Sequence, residues 1–327
     1  MHCHLRLACR VGTIAALVIA ATSVAQAQNS HPTRNVRMIV PFTPGGGADL
    51  HARTLGMALS VLWSRSVVID NRGGAGGGVA ASAVASSEPD GHTIFFATHP
   101  ILSINPELYR KLSYDPEKDF APVVKLGETA LMLMVHPSFP AKTVAEMIKL
   151  AKEKPGSLNF GTGGPGTTQH LSAELFRGLA DIEAVHVPFK GGALASAAIM
   201  GGQIQFQFDS AYPGMRFMQS GKLRGLAVTS KKRLPMLPDM PTMAETLPGY
   251  ESVLAYTIVV PAATPVGVVS ALNRDINKVL SDPAYRKELE SRAIYLDGGS
   301  PDDLRAWLAA ERKKWGALIR RLKLSVG

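Results

Sequence analysis

Val36-Arg37-Met38-Ile39-Val40-Pro41-Phe42-Thr43-Pro44-Gly45-Gly46-Gly47-Ala48-Asp49 is the stretch whose reading sets the architecture of this chain. Residues 36–40 read as a short buried strand, the glycines as a turn, and residues 50–62 as the helix that follows. A stretch of the same kind recurs farther on. Gly161-Thr162-Gly163-Gly164-Pro165-Gly166-Thr167-Thr168 lies between a strand at 158–160 and a helix at 169–179. Each turn offers free backbone N–H groups, hydroxyls and the positive end of a helix dipole to whatever lies in front of it. Two such turns facing each other across a cleft would make a receptor for a small anion.

Working outward, strands and helices alternate almost throughout, as in α/β layers around mainly parallel sheets. Strands are expected at 67–71, 93–98, 185–189, 204–208, 223–229 and 256–260, with helices between them. Residues 120–125 and 131–136 are both β-rich and closely spaced, which suits a strand leaving one sheet for another. Thr143, with Glu146 three residues on, reads as a capping box before a helix at 144–152. The proline-rich stretch 231–251 reads as a return linker, and helices at 266–280, 283–291 and 301–323 finish the chain. One domain interrupted by another is the arrangement of a hinged clamshell. Residues 28–127 and 250–327 form the first domain and 128–249 the second, with the return crossing inside 229–255. Ligands of open α/β sheets bind beyond the carboxyl ends of strands, here the interdomain cleft.

Composition narrows the function. Arg6 and Arg10, the apolar run 11–21 and Ala25-Gln26-Ala27 read as a secretory signal peptide over residues 1–27, cut after Ala27. The run is shorter than the ~20 residues that span a bilayer. Both cysteines, Cys3 and Cys9, leave with it, so the mature chain has no thiol nucleophile, thiolate ligand or disulfide. About 300 remaining residues suit two α/β domains. Loss of Arg6 and Arg10 lowers the net charge from +9 to +7, much of it on Arg312, Lys313, Lys314, Arg320, Arg321 and Lys323. A solvated terminal helix accounts for that cluster; aromatics are not interleaved with it, which argues against a nucleic-acid groove.

The candidate ligand-binding residues gather at the turns and strand ends. Phe42, Thr43, Gly46 and Gly47 belong to the first turn; Asp49 reads either as a helix N-cap or as a ligand contact. Thr162, Thr167 and Thr168 donate without charge, to a ligand or to their own turn. Thr98 and His99 end the third strand at the level of the first turn. Lys190, before Gly191-Gly192, reads as a carboxylate partner or a solvated lysine, and Asp209 with Ser210 ends a strand at the same cleft. Gly76-Gly77-Gly78-Val79-Ala80-Ala81 meets the loose dinucleotide pattern but follows the second strand and lacks the later acid. The second turn has no phosphate-loop lysine. His136, His170 and His186 show no metal-ligand spacing, so no metal and no cofactor is expected. Binding groups are present without a convincing nucleophile.

These segments resemble a known family. Val40-Pro41-Phe42-Thr43-Pro44-Gly45-Gly46-Gly47-Ala48-Asp49, Asn71-Arg72-Gly73-Gly74-Ala75-Gly76-Gly77, Pro89-Asp90-Gly91, Asp119-Phe120-Ala121-Pro122, Val187-Pro188-Phe189-Lys190-Gly191 and Pro238-Asp239-Met240-Pro241-Thr242 stand in order along nearly all of the mature chain. They resemble the extracytoplasmic solute receptors of the tripartite tricarboxylate transporter system, the Bug or TctC-type receptors. The resemblance implies a periplasmic, monomeric, two-domain α/β periplasmic-binding-protein fold of type II (a Venus flytrap). It implies no catalysis, capture of a small organic carboxylate by N–H groups, hydroxyls and waters, and delivery to a membrane permease of one large and one small subunit. The alternative is a receptor that reports its ligand to a signalling partner. The chain departs from the family pattern at His99, Pro165, Ala198 and Ala255, positions expected in or near the cleft. A His99 that touched the carboxylate would make affinity depend on pH between 5 and 8.

Overall fold

The computed structural model describes residues 31–321 and 324–326. The signal peptide expected over residues 1–27 lies outside the described residues, as does Lys323 of the basic cluster. The chain opens with β1 (Val36–Val40), α1 (Gly47–Trp63), β2 (Val67–Asn71), α2 (Gly78–Ala85) and β3 (Thr93–Thr98). Two short helices, α3 (His99–Ser103) and α4 (Asn105–Leu108), lead to the 16-residue β4 (Phe120–Val135). Then come α5 (Val144–Glu153), β5 (Leu158–Thr162), α6 (Thr168–Ala180), β6 (Ala184–Pro188), α7 (Gly192–Met200), β7 (Phe206–Ser210), α8 (Ala211–Gln219) and β8 (Arg224–Val228). A short α9 (Met243–Thr246) precedes β9 (Val253–Pro261), α10 (Val266–Leu280), α11 (Pro283–Glu290), β10 (Ile294–Leu296) and α12 (Pro301–Arg321).

The strands run in the order β2-β1-β3-β9-β4-β7-β5-β6, with β8 and β10 also paired to β4. The outer ladders β2-β1-β3 and β6-β5-β7 are parallel, as βαβ crossovers require. The middle differs from the expected parallel arrangement: β9 is antiparallel to both β3 and β4, and β4 is antiparallel to β7, β8 and β10. The two β-rich stretches 120–125 and 131–136 are one strand. Its residues 120–130 pair with β9, and from Leu131 it pairs with β7 and β8. Buried Thr229 closes that passage: its hydroxyl accepts from the Leu131 N–H at 2.8 Å and its own N–H donates to the Leu131 carbonyl at 2.8 Å. Ser252 donates in turn to the Thr229 carbonyl at 3.1 Å, bringing the return segment to the same point.

Alternation along the strands supplies apolar side chains to both faces. Val36, Met38 and Val40 pack with α1 and α10, while Ile39 packs beneath α2. Leu131, Leu133 and Val135 face a core with Phe160, Phe176 and Phe206; Met132 and Met134 face Ile199 and Met215. Fully burying each such side chain contributes about 1.5–3 kcal/mol. The last turns of α12 insert Trp315, Leu318 and Ile319 into the Phe160 core. Its basic residues are partly paired: Arg320 reaches Glu107 at 2.7 Å, and Arg312 contacts Glu117.

Local chemistry places the helix starts. Thr143 accepts from the Glu146 N–H at 3.1 Å, but the Glu146 carboxylate takes the Lys142 N–H, so only half of the expected capping box forms. A complete one stands at Thr242 and Glu245, before α9. No helix among the described residues is long and apolar enough to cross a membrane.

Candidate functional site

The ends of β1, β3, β5 and β7 meet around a cavity of about 160 Å³. Four helices begin at its wall. Residues 45–48 of the first turn bring the start of α1, and residues 167–169 the start of α6. Gly191 and Gly192 open α7, and Ser210 caps α8. Phe42, Leu131, Pro213, Phe217 and Leu254 fill the wall between these polar ends. Among the described residues that line it, Asp209 is the one ionisable side chain. The polar part of the wall is therefore helix-start amides and hydroxyls around one carboxylate, with no lysine, arginine or histidine among the described residues that line it.

The first turn is shaped from behind by a carboxylate. Gly46, not Asp49, is the N-cap of α1, and no side chain caps it. Asp49, 2% exposed, sits in the first helical turn and accepts from the Gly45 N–H at 2.9 Å, Arg53 Nε at 3.0 Å and Asn71 Nδ2 at 2.9 Å. Burial opposes its ionisation, but these donors outweigh it and hold its pKa below the usual carboxylate value. Asn71 also donates to the Phe42 carbonyl at 2.9 Å. Gly45, with φ of 89°, takes the left-handed conformation that lets its N–H turn toward Asp49. The first amides of α1 have no intrahelical acceptor and lie beside the cavity.

The second turn is held by neutral groups. Thr167 caps α6, accepting from the His170 N–H at 3.3 Å and donating to the Gly164 carbonyl at 2.8 Å. Thr162, fully buried, accepts from the Gly164 N–H at 3.1 Å and hydrogen-bonds His186 Nε2 at 2.7 Å. His170 Nδ1 accepts from the Gly166 N–H at 3.3 Å, and its ring stacks on His186 with centroids 4.3 Å apart. Burial, the neighbouring imidazole and Arg177 lower His170 to about 3; burial and Arg177 lower His186 to about 4. Thr168 is different. It is 3% exposed, lines the cavity, and its hydroxyl has no protein partner.

Behind the α7 and α8 starts lies a connected polar network. Gln169 accepts from the Gly163 N–H and donates through Nε2 to Asp209 Oδ1 at 2.7 Å. The Ser210 N–H donates to the same oxygen at 2.8 Å, and Ser196 Oγ donates to Asp209 Oδ2 at 3.1 Å. Burial raises the Asp209 pKa against the pull of those three donors. A Cβ at Gly192 would lie 2.6 Å from Gln169 Nε2 and would push that amide away from Asp209.

Nine of the thirteen residues singled out in the sequence line this cavity: Phe42, Thr43, Gly46, Gly47, Thr98, Thr167, Thr168, Asp209 and Ser210. Asp49 and Thr162 stand behind it and shape the turns, and Lys190 is exposed and does not line it. His99 is corrected outright. It is fully buried at the start of α3, accepts from the Ala255 N–H at 3.3 Å, and packs edge-on against Trp307. Burial, Lys314 and Lys125 lower its pKa to about 3, so it stays neutral between pH 5 and 8. The other departures also miss the wall. Ala198 packs in the core with Ile199, buried Ala255 holds His99, and the Pro165 carbonyl accepts from the Tyr109 hydroxyl at 3.0 Å. Gln169, Ser196, Phe217 and Leu254 line the cavity without having been singled out.

The chain is similar to proteins of a known family. The family model described as the tripartite tricarboxylate transporter family receptor matches residues 51–324. Protein BugT of Bordetella pertussis is 30% identical over 296 residues, covering 89% of this chain and 90% of BugT. Rpa4515 of R. palustris, solved with adipate, superposes with a TM-score of 0.88 at 35% identity, covering 90% of this chain and 99% of that one. MatC of Rhodopseudomonas palustris, solved with bound malate, gives a TM-score of 0.83 at 29% identity, covering 88% and 99%.

Proposed function

The chain belongs to the tripartite tricarboxylate transporter receptor family, and we propose that it captures a small organic carboxylate between its two domains and delivers it to a membrane permease of one large and one small subunit. It works in the periplasm as a monomer, after removal of residues 1–27, and returns its ligand unchanged. Residues 28–127 with 250–327 form one lobe and 128–249 the other, and the strand β4 and the return segment near Thr229 are the hinges.

One observation carries this reading: the unpartnered Thr168 hydroxyl, buried at the start of α6 and facing a cavity ringed by three further helix starts. A buried hydroxyl without a partner costs about 1–3 kcal/mol, which a ligand oxygen recovers. Two neighbours were solved with carboxylates, adipate and malate, organic acids of four to six carbons and of the size that such a cavity holds. Thr43, Thr98, Ser210 and the backbone at Gly46 and Gly47 supply the remaining donors, and Asp49, Thr162 and Thr167 hold the turns that aim them.

The test is native mass spectrometry of the protein taken from the periplasm, followed by calorimetry with mono- and dicarboxylates of four to six carbons. A released organic acid, and a Thr168→Val variant that melts normally but binds its tightest ligand at least tenfold more weakly, support the reading. A hydrogen bond to a charged acceptor contributes about 1.5–3 kcal/mol, which sets that threshold. Failure of every carboxylate to bind sinks it. Loss of uptake on deleting the gene, restored by the wild-type chain, tests delivery.

A further inference from the structure

The cavity combines four helix starts with a buried acid, and the two make opposite demands on a ligand. Asp209 is 8% exposed and sits on the wall that the helix starts define. Its Oδ1 is saturated by the Gln169 amide at 2.7 Å and the Ser210 N–H at 2.8 Å. Its Oδ2 has a single shared donor. The one Ser196 hydroxyl proton lies 3.1 Å from Asp209 Oδ2 and 3.3 Å from Gln207 Oε1, and it serves one acceptor at a time. A carboxylate offers about four acceptor sites, so Oδ2 keeps at least one open.

Among the described residues on the wall, no lysine, arginine or histidine offsets a charge on Asp209. Burial raises the Asp209 pKa above its ordinary value, and the three donors and the N-terminal end of α8 oppose that rise. A second carboxylate in the ligand would share a small cavity with this one, and like charges so placed disfavour each other's ionisation. An N–H or O–H group in the same place completes the open acceptor site and adds no charge.

We infer that Asp209 is the specificity-determining residue of this cavity, and that the ligand is a monocarboxylate carrying an uncharged or cationic N–H or O–H donor toward Asp209 Oδ2. This rests on the carboxylate reading above and narrows it. One end of such a ligand meets Thr168 and the helix starts, and its apolar body lies against Phe217 and Leu254. The selection is for one charge rather than two.

The decisive comparison is calorimetry on the mature chain at pH 8 with adipate, a dianion there, and adipic acid monoamide, its monoanionic near-isostere. The wild-type protein is expected to bind the monoamide at least tenfold more tightly. Asp209→Asn keeps an oxygen for the Gln169 and Ser210 donors while removing the charge, and it is expected to shrink that ratio to less than threefold. Adipate binding as tightly as the monoamide to the wild-type chain overturns the inference and leaves the carboxylate reading intact. So does an Asp209→Asn variant that weakens both ligands equally, since that is the behaviour of a scaffold residue. If neither compound binds, and no other member of the carboxylate series does, the broader reading falls and this one with it. The wild-type ratio decides the matter even if the variant folds poorly.

Discussion

The two glycine turns reach the same end by different means. The Phe42–Asp49 turn hangs on one ionised carboxylate, with Gly45, Arg53 and Asn71 as its donors. The Gly161–Thr168 turn hangs on two threonine hydroxyls, a glutamine and two stacked neutral imidazoles. Both bring the start of a helix to the cavity wall. What the ligand meets is backbone, so the side chains behind each turn are free to differ. This explains why the two segments share glycine and little else.

The comparison can be broken most sharply at Asp49. Asp49→Ala strips three accepted hydrogen bonds from the first turn and is expected to cost about 3 kcal/mol in urea unfolding. A loss under 1 kcal/mol would mean that the turn holds itself.

Acid should separate the two turns next. His170 has a folded pKa of about 3 against 6.5 when unfolded, so the unfolded chain takes up protons first. Its contribution is complete above pH 6.5 and declines as pH falls toward 3, by about 2 kcal/mol between pH 6.5 and 5. Asp49, with its pKa depressed, contributes fully above its ordinary value of 3.8 and fades only below that. Amide exchange at Gly164 and Gly166, corrected for intrinsic rate, should quicken by pH 5 while that at Gly45 holds. Equal quickening at both turns would deny them separate supports.

Thr167→Ala removes the α6 cap and is expected to cost about 1 kcal/mol, a smaller effect than Asp49→Ala because Thr162 and His170 still brace the turn. Thermal melting of the two variants side by side checks the ranking. The smallest effect belongs to Lys190→Ala, at less than about 0.5 kcal/mol and with unaltered ligand affinity. A large loss of affinity there would place a charged donor at the ligand, contrary to a wall whose described residues include no basic side chain.

Much of the fold was legible because strand and helix periods were clean. Helix α10 spans 266–280 as read from its pattern, and the first three strands fall where their apolar runs lie. β10 was not legible: three residues carry no period, and they pair only because Gly127 lets the chains approach, a Cβ there meeting the Tyr295 carbonyl at 2.3 Å. The antiparallel placement of β9 was hidden too, since strand direction depends on where a distant segment returns. In the site, Ser196 left a signal that went unused: it is the lone polar residue of the apolar helix α7, one turn after Gly192. Gln169 left less, being one of several polar residues at a helix start.

The sequence by itself determined that this chain alternates strands and helices, that its glycines open two helix starts, and that uncharged donors dominate around them. Those are local properties, set by spacing and by the conformations that glycine and threonine favour. Tertiary structure alone decided which donors remain free. Thr162 and Thr168 are equivalent on paper, yet one is consumed by His186 and the other faces the cavity unpaired. Thr98 and His99 are adjacent, yet the step from strand to helix turns the first to the cavity and the second into the core behind it. A polar group is available to a ligand only when nothing nearer satisfies it, and what lies nearer is fixed by the packing of segments remote in sequence.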